Sequence, residues 1–287
     1  MKELKSNFLK DSWCNFQWSP WIKQEDISKG IVSLSGIYRV KPKNQDYLIY
    51  IGQTGNLKRR TSTLKRECNK DKMPFRDPHT GAPCLWAWKQ THKFEYEYSF
   101  TLTKDNELER KIIEHFFFWQ YRLEYGESPL CSFGRFHKNY TISSNSKKQK
   151  RGYHLQDEQI NPAGTNSHTP LFLKSSFDDK DWMGLKWSSI KKLNTLEVKS
   201  LPNSPGVYKI FTNNELLYIG ETKNFKNRFL NHVKKNWSFS EVYFSISIQE
   251  NNIQPHQLKE LENDLIAGYF KQSDKAPVHQ FRNLSVH

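Results

Sequence analysis

The chain has 287 residues, and its 44 Lys and Arg against 30 Asp and Glu give a formal net charge of +14. This balance favours a polyanionic partner, either a nucleic acid or an anionic membrane surface. No apolar run approaches the roughly 18 residues that a spanning helix needs, and the first residues lack the apolar stretch of a signal peptide. The four cysteines have neither a zinc-motif spacing nor the density of a disulfide scaffold. We therefore expect a cytoplasmic protein with reduced thiols and no membrane partner.

The first part of the chain predicts a hairpin followed by helix, strand and helix. After an aromatic segment over residues 1–30, residues 34–52 read as strand, polar turn and strand. Asn56 is a candidate N-cap for a helix. Glu95–Thr101 alternates as a half-buried strand, and Glu107–Arg122 is predicted to be a second helix.

An extra segment, Asn69–Thr91, lies between the first predicted helix and the third predicted strand. It contains Arg76, His79, Trp86 and Trp88. A loop inserted into a domain is a natural recognition element. The alternative is a packed surface excursion that buries both tryptophans.

A basic stretch follows, because residues 128–156 contain no Asp or Glu. Its cations are Arg135, Lys138, Lys147, Lys148, Lys150 and Arg151. Aromatic residues are interleaved with them. The pattern favours a strap that follows phosphates and stacks on bases, with a solvated, flexible linker as the alternative.

The second half of the chain repeats the motifs of the first. The tripeptides are Gly36-Ile37-Tyr38 and Tyr50-Ile51-Gly52 in the first copy, and Gly206-Val207-Tyr208 and Tyr218-Ile219-Gly220 in the second. The second tyrosine of each copy is followed ten residues later by an arginine, Arg60 or Arg228. A pair of tryptophans five residues apart precedes each copy, as Trp13 with Trp18 and Trp182 with Trp187.

The elements of the second copy follow the same order. Asn224 is a candidate N-cap, and apolar residues recur every four positions from Phe225 to Trp237. A third strand over Glu241–Ile248 and a second helix over His256–Phe270 complete the predicted copy.

Such a long period indicates tandem domains rather than a solenoid. We predict an N-terminal domain over residues 1–140, a basic linker or strap over 141–180, and a C-terminal domain over 181–287. The spacing places about fifteen additional residues in the first copy, between its arginine and its glutamate.

Together, the two tripeptides on a hairpin, the arginine on the next helix and a glutamate on a later helix resemble the GIY-YIG nuclease superfamily. The resemblance covers residues 34–131 and 204–283. It implies a mixed α+β domain in each copy, with a three-stranded antiparallel sheet flanked by helices. It also implies hydrolysis of phosphodiester bonds with a divalent metal, Mg²⁺ or Mn²⁺.

The resemblance implies roles for individual residues. Glu109 and Glu262 match the metal-binding glutamate, and Arg60 and Arg228 match the arginine that contacts the scissile phosphate. The tyrosines around the attacking water correspond to Tyr38, Tyr50, Tyr208 and Tyr218. His232 matches a histidine that some members have four residues after the arginine.

These residue types suit the chemistry. A carboxylate holds a hard cation, and a guanidinium stabilises the phosphate. A tyrosine acting as the base would need a depressed pKa, and His232 is a rival base.

The first copy departs from the pattern at one position and both copies depart at another. Leu64 stands where the second copy has His232, and His79 in the insert is a candidate replacement. Family members often have an asparagine after a proline near the end of the domain, and neither copy matches this feature clearly. His279 and Asn283 are therefore auxiliary candidates.

The sequence thus predicts a DNA endonuclease that cuts both strands, with one site in each domain. A restriction-type enzyme would imply a cognate methyltransferase and would act as a monomeric pseudo-dimer or a homodimer. Arg76 and the cations of the basic stretch are the predicted DNA contacts. One alternative is an active domain beside a degenerate DNA-binding domain in a repair or structure-specific nuclease. The other is a non-catalytic nucleic-acid-binding protein.

Overall fold

The computed structural model describes residues 7–282 and divides at Ser167 into two compact units. Unit 1 ends at Ser167 and unit 2 begins at His168. The predicted linker over 141–180 is therefore not a separate segment, because its first part packs with unit 1 and its remainder with unit 2. Among the described residues, no helix is long and apolar enough to cross a membrane.

Unit 1 is built on a four-stranded antiparallel sheet. The strands are β1 (Ile22–Lys23), β2 (Gly36–Pro42), β3 (Tyr50–Thr54) and β4 (Tyr96–Leu102), in the spatial order β1-β4-β2-β3. The predicted hairpin is β2 and β3, whose register pairs Tyr38 with Gly52. The prediction of three strands missed β1, which is only two residues long and pairs with the edge of β4.

Four helices accompany this sheet: α1 (Ile27–Gly30), α2 (Leu57–Cys68), α3 (Ala82–His92) and α4 (Glu107–Tyr125). Asn56 caps α2, since its side chain accepts a hydrogen bond from the backbone N–H of Arg59. Helix α3 belongs to the insert. It buries Leu85 and most of Trp86 against the core, so this part of the insert is a packed excursion.

The basic stretch is an ordered hairpin in unit 1. Thr141 and Leu155 donate backbone N–H groups to Tyr153 and Asn139, and a turn over Ser146–Lys148 closes the hairpin. We call residues 139–155 the basic hairpin. Its tip contacts the insert, because Asp77 accepts hydrogen bonds from the backbone and the hydroxyl of Ser146.

Unit 2 has the same sheet topology. Its strands are β5 (Lys191–Lys192), β6 (Gly206–Phe211), β7 (Leu216–Thr222) and β8 (Tyr243–Ile248), in the order β5-β8-β6-β7. The helices are α5 (Thr195–Lys199), α6 (Phe225–His232) and α7 (Pro255–Ser273). Helix α6 ends at His232, so Trp237, predicted as part of its apolar face, lies beyond it in a loop.

Each tryptophan pair packs around one buried cation. In unit 1 the Arg39 guanidinium lies 4.2 Å from the Trp18 ring centroid, and burial lowers its pKa to about 9. In unit 2 the Lys209 ammonium lies 4.5 Å from the Trp187 ring, and burial lowers its pKa to about 8. The tryptophans are thus core residues stabilised by cation–π contacts rather than surface stacking groups.

Candidate active site

The hairpin of each unit sets two tyrosines beside each other. Tyr208 pairs with Gly220 across β6 and β7, and a Cβ on Gly220 would collide with the Tyr208 hydroxyl. Gly52 meets Tyr38 in the same way in unit 1. The glycine of the second tripeptide is therefore needed because a tyrosine hydroxyl lies directly against its backbone.

In unit 2, Arg228 and His232 meet at one phenol oxygen. Arg228 Nε donates to the Tyr208 hydroxyl at 2.7 Å, and Arg228 Nη2 reaches the Tyr218 hydroxyl at 3.4 Å. His232 Nε2 lies 2.8 Å from the Tyr208 hydroxyl, while its Nδ1 is buried and has no hydrogen-bond partner among residues 7–282. Because Arg228 and His232 are four residues apart on α6, the helix presents both to the same side.

The electrostatics of these groups follow from burial. Burial raises the pKa of Tyr208 well above its usual value, although the charge of Arg228 opposes the shift. Burial and the neighbouring Arg228 lower the pKa of His232 to about 2, so the imidazole is neutral at pH 7. A tyrosine that acts as a base needs a lowered pKa, and the protein without a bound cation instead raises the pKa of Tyr208.

Glu262 and Glu221 bring two carboxylates to the same site. Burial, and after it the charge of Glu221, raises the pKa of Glu262 to about 8, while Arg228 and Lys259 oppose the shift. The backbone N–H of Glu221 also donates to Glu262. Two neighbouring, half-buried glutamates form a donor set that fits a hard divalent cation.

Unit 1 brings Tyr38, Tyr50 and Arg60 together with weaker contacts. Arg60 Nε lies 3.4 Å from the Tyr38 hydroxyl, and Nη1 donates to the Pro78 carbonyl oxygen at 3.3 Å. Pro78 belongs to the insert, so part of the guanidinium is already occupied by the protein. The insert also covers Tyr50, since a Cβ on Gly81 would lie 2.6 Å from that ring.

The structure corrects the choice of glutamate in unit 1. Glu114 and Glu262 are each the eighth residue of their helices, whereas Glu109 is the third residue of α4 and matches Gln257. Glu114 interacts electrostatically with Tyr38, Tyr50 and Arg60 and accepts the backbone N–H of Gln53, and burial raises its pKa to about 7. Glu109 lies in the first turn, bonded through its N–H to Asn106.

The error has a simple cause. Both copies contain a Leu-Glu dipeptide, at 108–109 and at 261–262, and aligning these two dipeptides implies about fifteen extra residues in unit 1. The arginines are 168 positions apart and the glutamates at equivalent helix positions are 148 apart, so unit 1 has 20 extra residues. Counting from the first residue of each helix in the structure places Glu114 opposite Glu262.

The position of His232 is filled by an apolar side chain in unit 1. Leu64 is fully buried there. His79 is also buried and lies near Arg60, and burial together with the charge of Arg60 lowers its pKa to about 3. Within residues 7–282 no hydrogen bond joins His79 to either tyrosine, so it does not replace the His232–Tyr208 contact.

Of the two candidates for the family's asparagine, His279 is among the described residues. The backbone N–H of His279 donates to the Leu217 carbonyl, and in unit 1 the backbone N–H of Cys131 donates to the Ile49 carbonyl. His279 and Cys131 therefore occupy equivalent positions. His279 Nε2 contacts the Trp237 carbonyl at 3.2 Å, and none of the described hydrogen bonds joins it to Tyr208 or Tyr218. Asn283 lies outside the described residues.

The predicted DNA contacts separate into two groups. Arg135 is buried and donates to Glu127 at 3.0 Å, to the Ser128 carbonyl and to the Ser167 hydroxyl, so its role as a DNA contact was wrong. Arg151 is exposed but lies 4.1 Å from the Phe75 ring and bonds the Met73 carbonyl, which joins the basic hairpin to the insert. The remaining cations are exposed: Arg76, Lys138, Lys147, Lys148 and Lys150.

Comparison with known proteins gives the class of this site. Residues 204–272 match the sequence profile of the GIY-YIG catalytic domain. This range contains Tyr208, Tyr218, Arg228, His232 and Glu262. Unit 2 therefore carries a GIY-YIG catalytic domain, and the match supports a nuclease.

One named relative shares a short part of the chain. A segment of 42 residues is 48% identical to UvrABC system protein C of Christiangramia forsetii. The matched segment is 14% of this chain and 7% of that protein, so most of the relative has no counterpart in the match.

Proposed function

We propose that this chain is a metal-dependent endonuclease that hydrolyses phosphodiester bonds of DNA, with its principal catalytic site in unit 2. The observation that carries the proposal is the contact set at the Tyr208 hydroxyl, with Arg228 Nε at 2.7 Å and His232 Nε2 at 2.8 Å. A net charge of +14 supports a polyanionic substrate.

Arg228 is the proposed phosphate-binding residue. Its Nε and Nη2 are directed to the two phenols, which fixes the plane of the guanidinium while the side chain stays partly exposed. Its remaining N–H groups would donate to phosphate oxygens, where charge develops in the transition state.

Tyr208 and His232 are the proposed route for the proton of the attacking water. With the proton on Nε2, His232 would donate to Tyr208, and the two bonds to the phenol oxygen would favour a Tyr208 phenolate whose own proton has already passed to solvent. With the proton on Nδ1, Tyr208 donates to His232, which becomes the acceptor for the proton it loses. In both arrangements Tyr208 would take the proton from the water, and His232 would act through Tyr208.

Glu262, with Glu221 beside it, is the proposed holder of Mg²⁺ or Mn²⁺. The fit rests on the two carboxylates and on the raised pKa of Glu262, which burial and Glu221 produce and which a bound cation would reverse. When bound, the cation would neutralise charge on the leaving oxygen. Waters and substrate oxygens would complete its coordination.

A second candidate function is cleavage of both strands in a restriction-type reaction, with one site in each unit. The observation in its favour is that Tyr38, Tyr50, Arg60 and Glu114 of unit 1 occupy the same sheet and helix positions as their unit 2 counterparts. Such an enzyme would work with a cognate methyltransferase. The closer contacts around Tyr208 favour unit 2 as the main site.

The exposed cations of unit 1 are the proposed DNA contacts. Lys147 and Lys148 lie at the tip of the basic hairpin, and this tip bonds the insert at Asp77. The insert in turn contacts Arg60 and Tyr50. Phosphates bound at the tip would therefore lie near the tyrosines of unit 1.

The first experiment is cleavage of supercoiled plasmid by the full chain in Mg²⁺ and in EDTA, comparing the wild type with Glu262→Gln. We expect cleavage by the wild type only when metal is present, and none by the variant. Because burial raises the pKa of Glu262 to about 8, its carboxyl is mostly neutral at pH 7 without metal, and the glutamine variant should unfold at about the same temperature. Metal-dependent cleavage that survives in a correctly folded Glu262→Gln protein would reject the proposed role.

A further inference from the structure

Lys235 lies beside the unit 2 site. It follows α6, and its backbone N–H bonds the His232 carbonyl. The ammonium lies 5.9 Å from the centroid of the Tyr218 ring, whose hydroxyl is bonded by Arg228. Two cations thus approach the same tyrosine, one at its face and one at its hydroxyl.

These two cations are close enough to repel each other. Burial, and after it the charge of Arg228, lowers the pKa of Lys235. The side chain is half-buried, and within the described part of the chain no carboxylate forms an ion pair with it. Holding two like charges together in a partly desolvated place costs free energy unless an anion binds between them.

Unit 1 has the opposite charge at this position. Glu67 is 168 positions before Lys235, the separation that also relates Arg60 to Arg228. Glu67 is buried and forms ion pairs with Arg66 at 3.2 Å and Lys70 at 2.5 Å. The second cation is therefore a feature of unit 2 and not of the shared fold.

We propose that Lys235 is a second phosphate-binding residue of unit 2, which holds the nucleic-acid backbone next to Tyr218 together with Arg228. The inference rests on the proposed function and names a positioning residue for it. The repulsion in the free protein is relieved when a phosphodiester lies between the two side chains.

The test uses binding rather than cleavage. A short fluorescent duplex DNA is titrated with the full-length Glu262→Gln protein in EDTA at several salt concentrations, with and without Lys235→Met. Loss of one phosphate contact should lower the slope of log K against log salt by about 0.9. It should also weaken binding by roughly three- to tenfold at moderate salt.

Lys234→Met is the matched control, because Lys234 is exposed, has the same charge and is adjacent in sequence. We expect it to change the slope by less than half as much. We also expect Lys235→Met to leave the melting temperature unchanged or raised, because it removes a like-charge contact.

Three results would overturn the proposal: an unchanged slope for Lys235→Met, an equal change for Lys234→Met, or a fall in melting temperature that accounts for the weaker binding. Absence of any nucleic-acid binding would overturn both this inference and the proposed function. A slope difference in a protein that cuts no plasmid would reject only the proposed function.

Discussion

Unit 1 and unit 2 place the same tyrosines, arginine and glutamate on the same frame but surround them differently. His232 bonds Tyr208 in unit 2, whereas Leu64 fills the corresponding position in unit 1. The other exchanges are Glu221 for Gln53 and Lys235 for Glu67. The comparison shows that the fold requires the core residues and the glycines, while the charge around the tyrosines varies independently of them.

The covering of the two sites also differs. In unit 1 the insert contacts the site at two points. The Pro78 carbonyl accepts a hydrogen bond from Arg60, and Gly81 lies against the Tyr50 ring. In unit 2, Trp237 packs near Tyr218 with ring centroids 6.2 Å apart, and within the described residues the Arg228 guanidinium bonds the two phenols alone. Each arginine therefore uses two nitrogen donors, but both bonds of Arg228 go to the tyrosines, whereas one bond of Arg60 goes to the insert.

The largest expected effect comes from removing one phenol hydroxyl. Tyr208→Phe should lower the cleavage rate by about 10²- to 10⁴-fold, the range for loss of acid–base catalysis. Tyr38→Phe should lower it less than about tenfold, because Arg60 Nε is 3.4 Å away and no histidine of the described residues bonds this hydroxyl. Single-turnover cleavage of plasmid measures both. Equal losses would remove the functional difference between the units.

The histidine exchange sharpens the comparison further. His232→Leu gives unit 2 the residue of unit 1 and should slow cleavage by roughly 10²-fold. The free energy of unfolding should fall by about 1 kcal/mol, since the variant removes the hydrogen bond between His232 Nε2 and the buried Tyr208 hydroxyl. Thermal unfolding serves as the control. A variant that cleaves at the wild-type rate would show that Tyr208 needs no histidine.

Arg135 tests whether a buried cation of the basic stretch stabilises unit 1 rather than contacting DNA. Arg135→Ala should lower the free energy of unfolding by about 2–3 kcal/mol, because it leaves the partners of a buried guanidinium unpaired. Chemical denaturation measures this loss. The salt dependence of DNA binding should remain that of the wild type, and a lower slope would restore Arg135 as a phosphate contact.

The smallest expected effect concerns the cover over Tyr50. Gly81→Ala should cost about 1–2 kcal/mol of stability, since the new Cβ would press on the Tyr50 ring. Gly55→Ala is the control, because the nearest atom to its Cβ is 3.6 Å away. Equal melting temperatures for the two variants would mean that the insert does not rest on the tyrosine.

Much of the frame could be predicted from the sequence because its signals are local. The alternating strands and the N-cap residues Asn56 and Asn224 are found where the pattern placed them. The paired tyrosines and the arginine on the next helix also follow from short spacings. Strand β1 was missed because two residues give no alternation to detect.

The remainder depends on contacts between distant segments. Glu114 was missed because the insert changed the spacing between helix and sheet. Arg135 was misassigned because a basic stretch in sequence does not reveal that one of its members is buried against Glu127 and Ser128. The covering of Tyr50 by Gly81 likewise follows from the fold of the insert and from no pattern in the sequence.

The most direct test of the difference between the units is a plasmid cleavage time course in Mg²⁺ with Glu114→Gln and Glu262→Gln in the full chain. We predict that Glu262→Gln abolishes both nicked and linear products, whereas Glu114→Gln still cleaves. Nicked circles from each single variant and linear product from the wild type would instead support one working site per strand. Loss of all cleavage in Glu114→Gln, with cleavage retained in Glu262→Gln, would contradict the assignment of catalysis to unit 2.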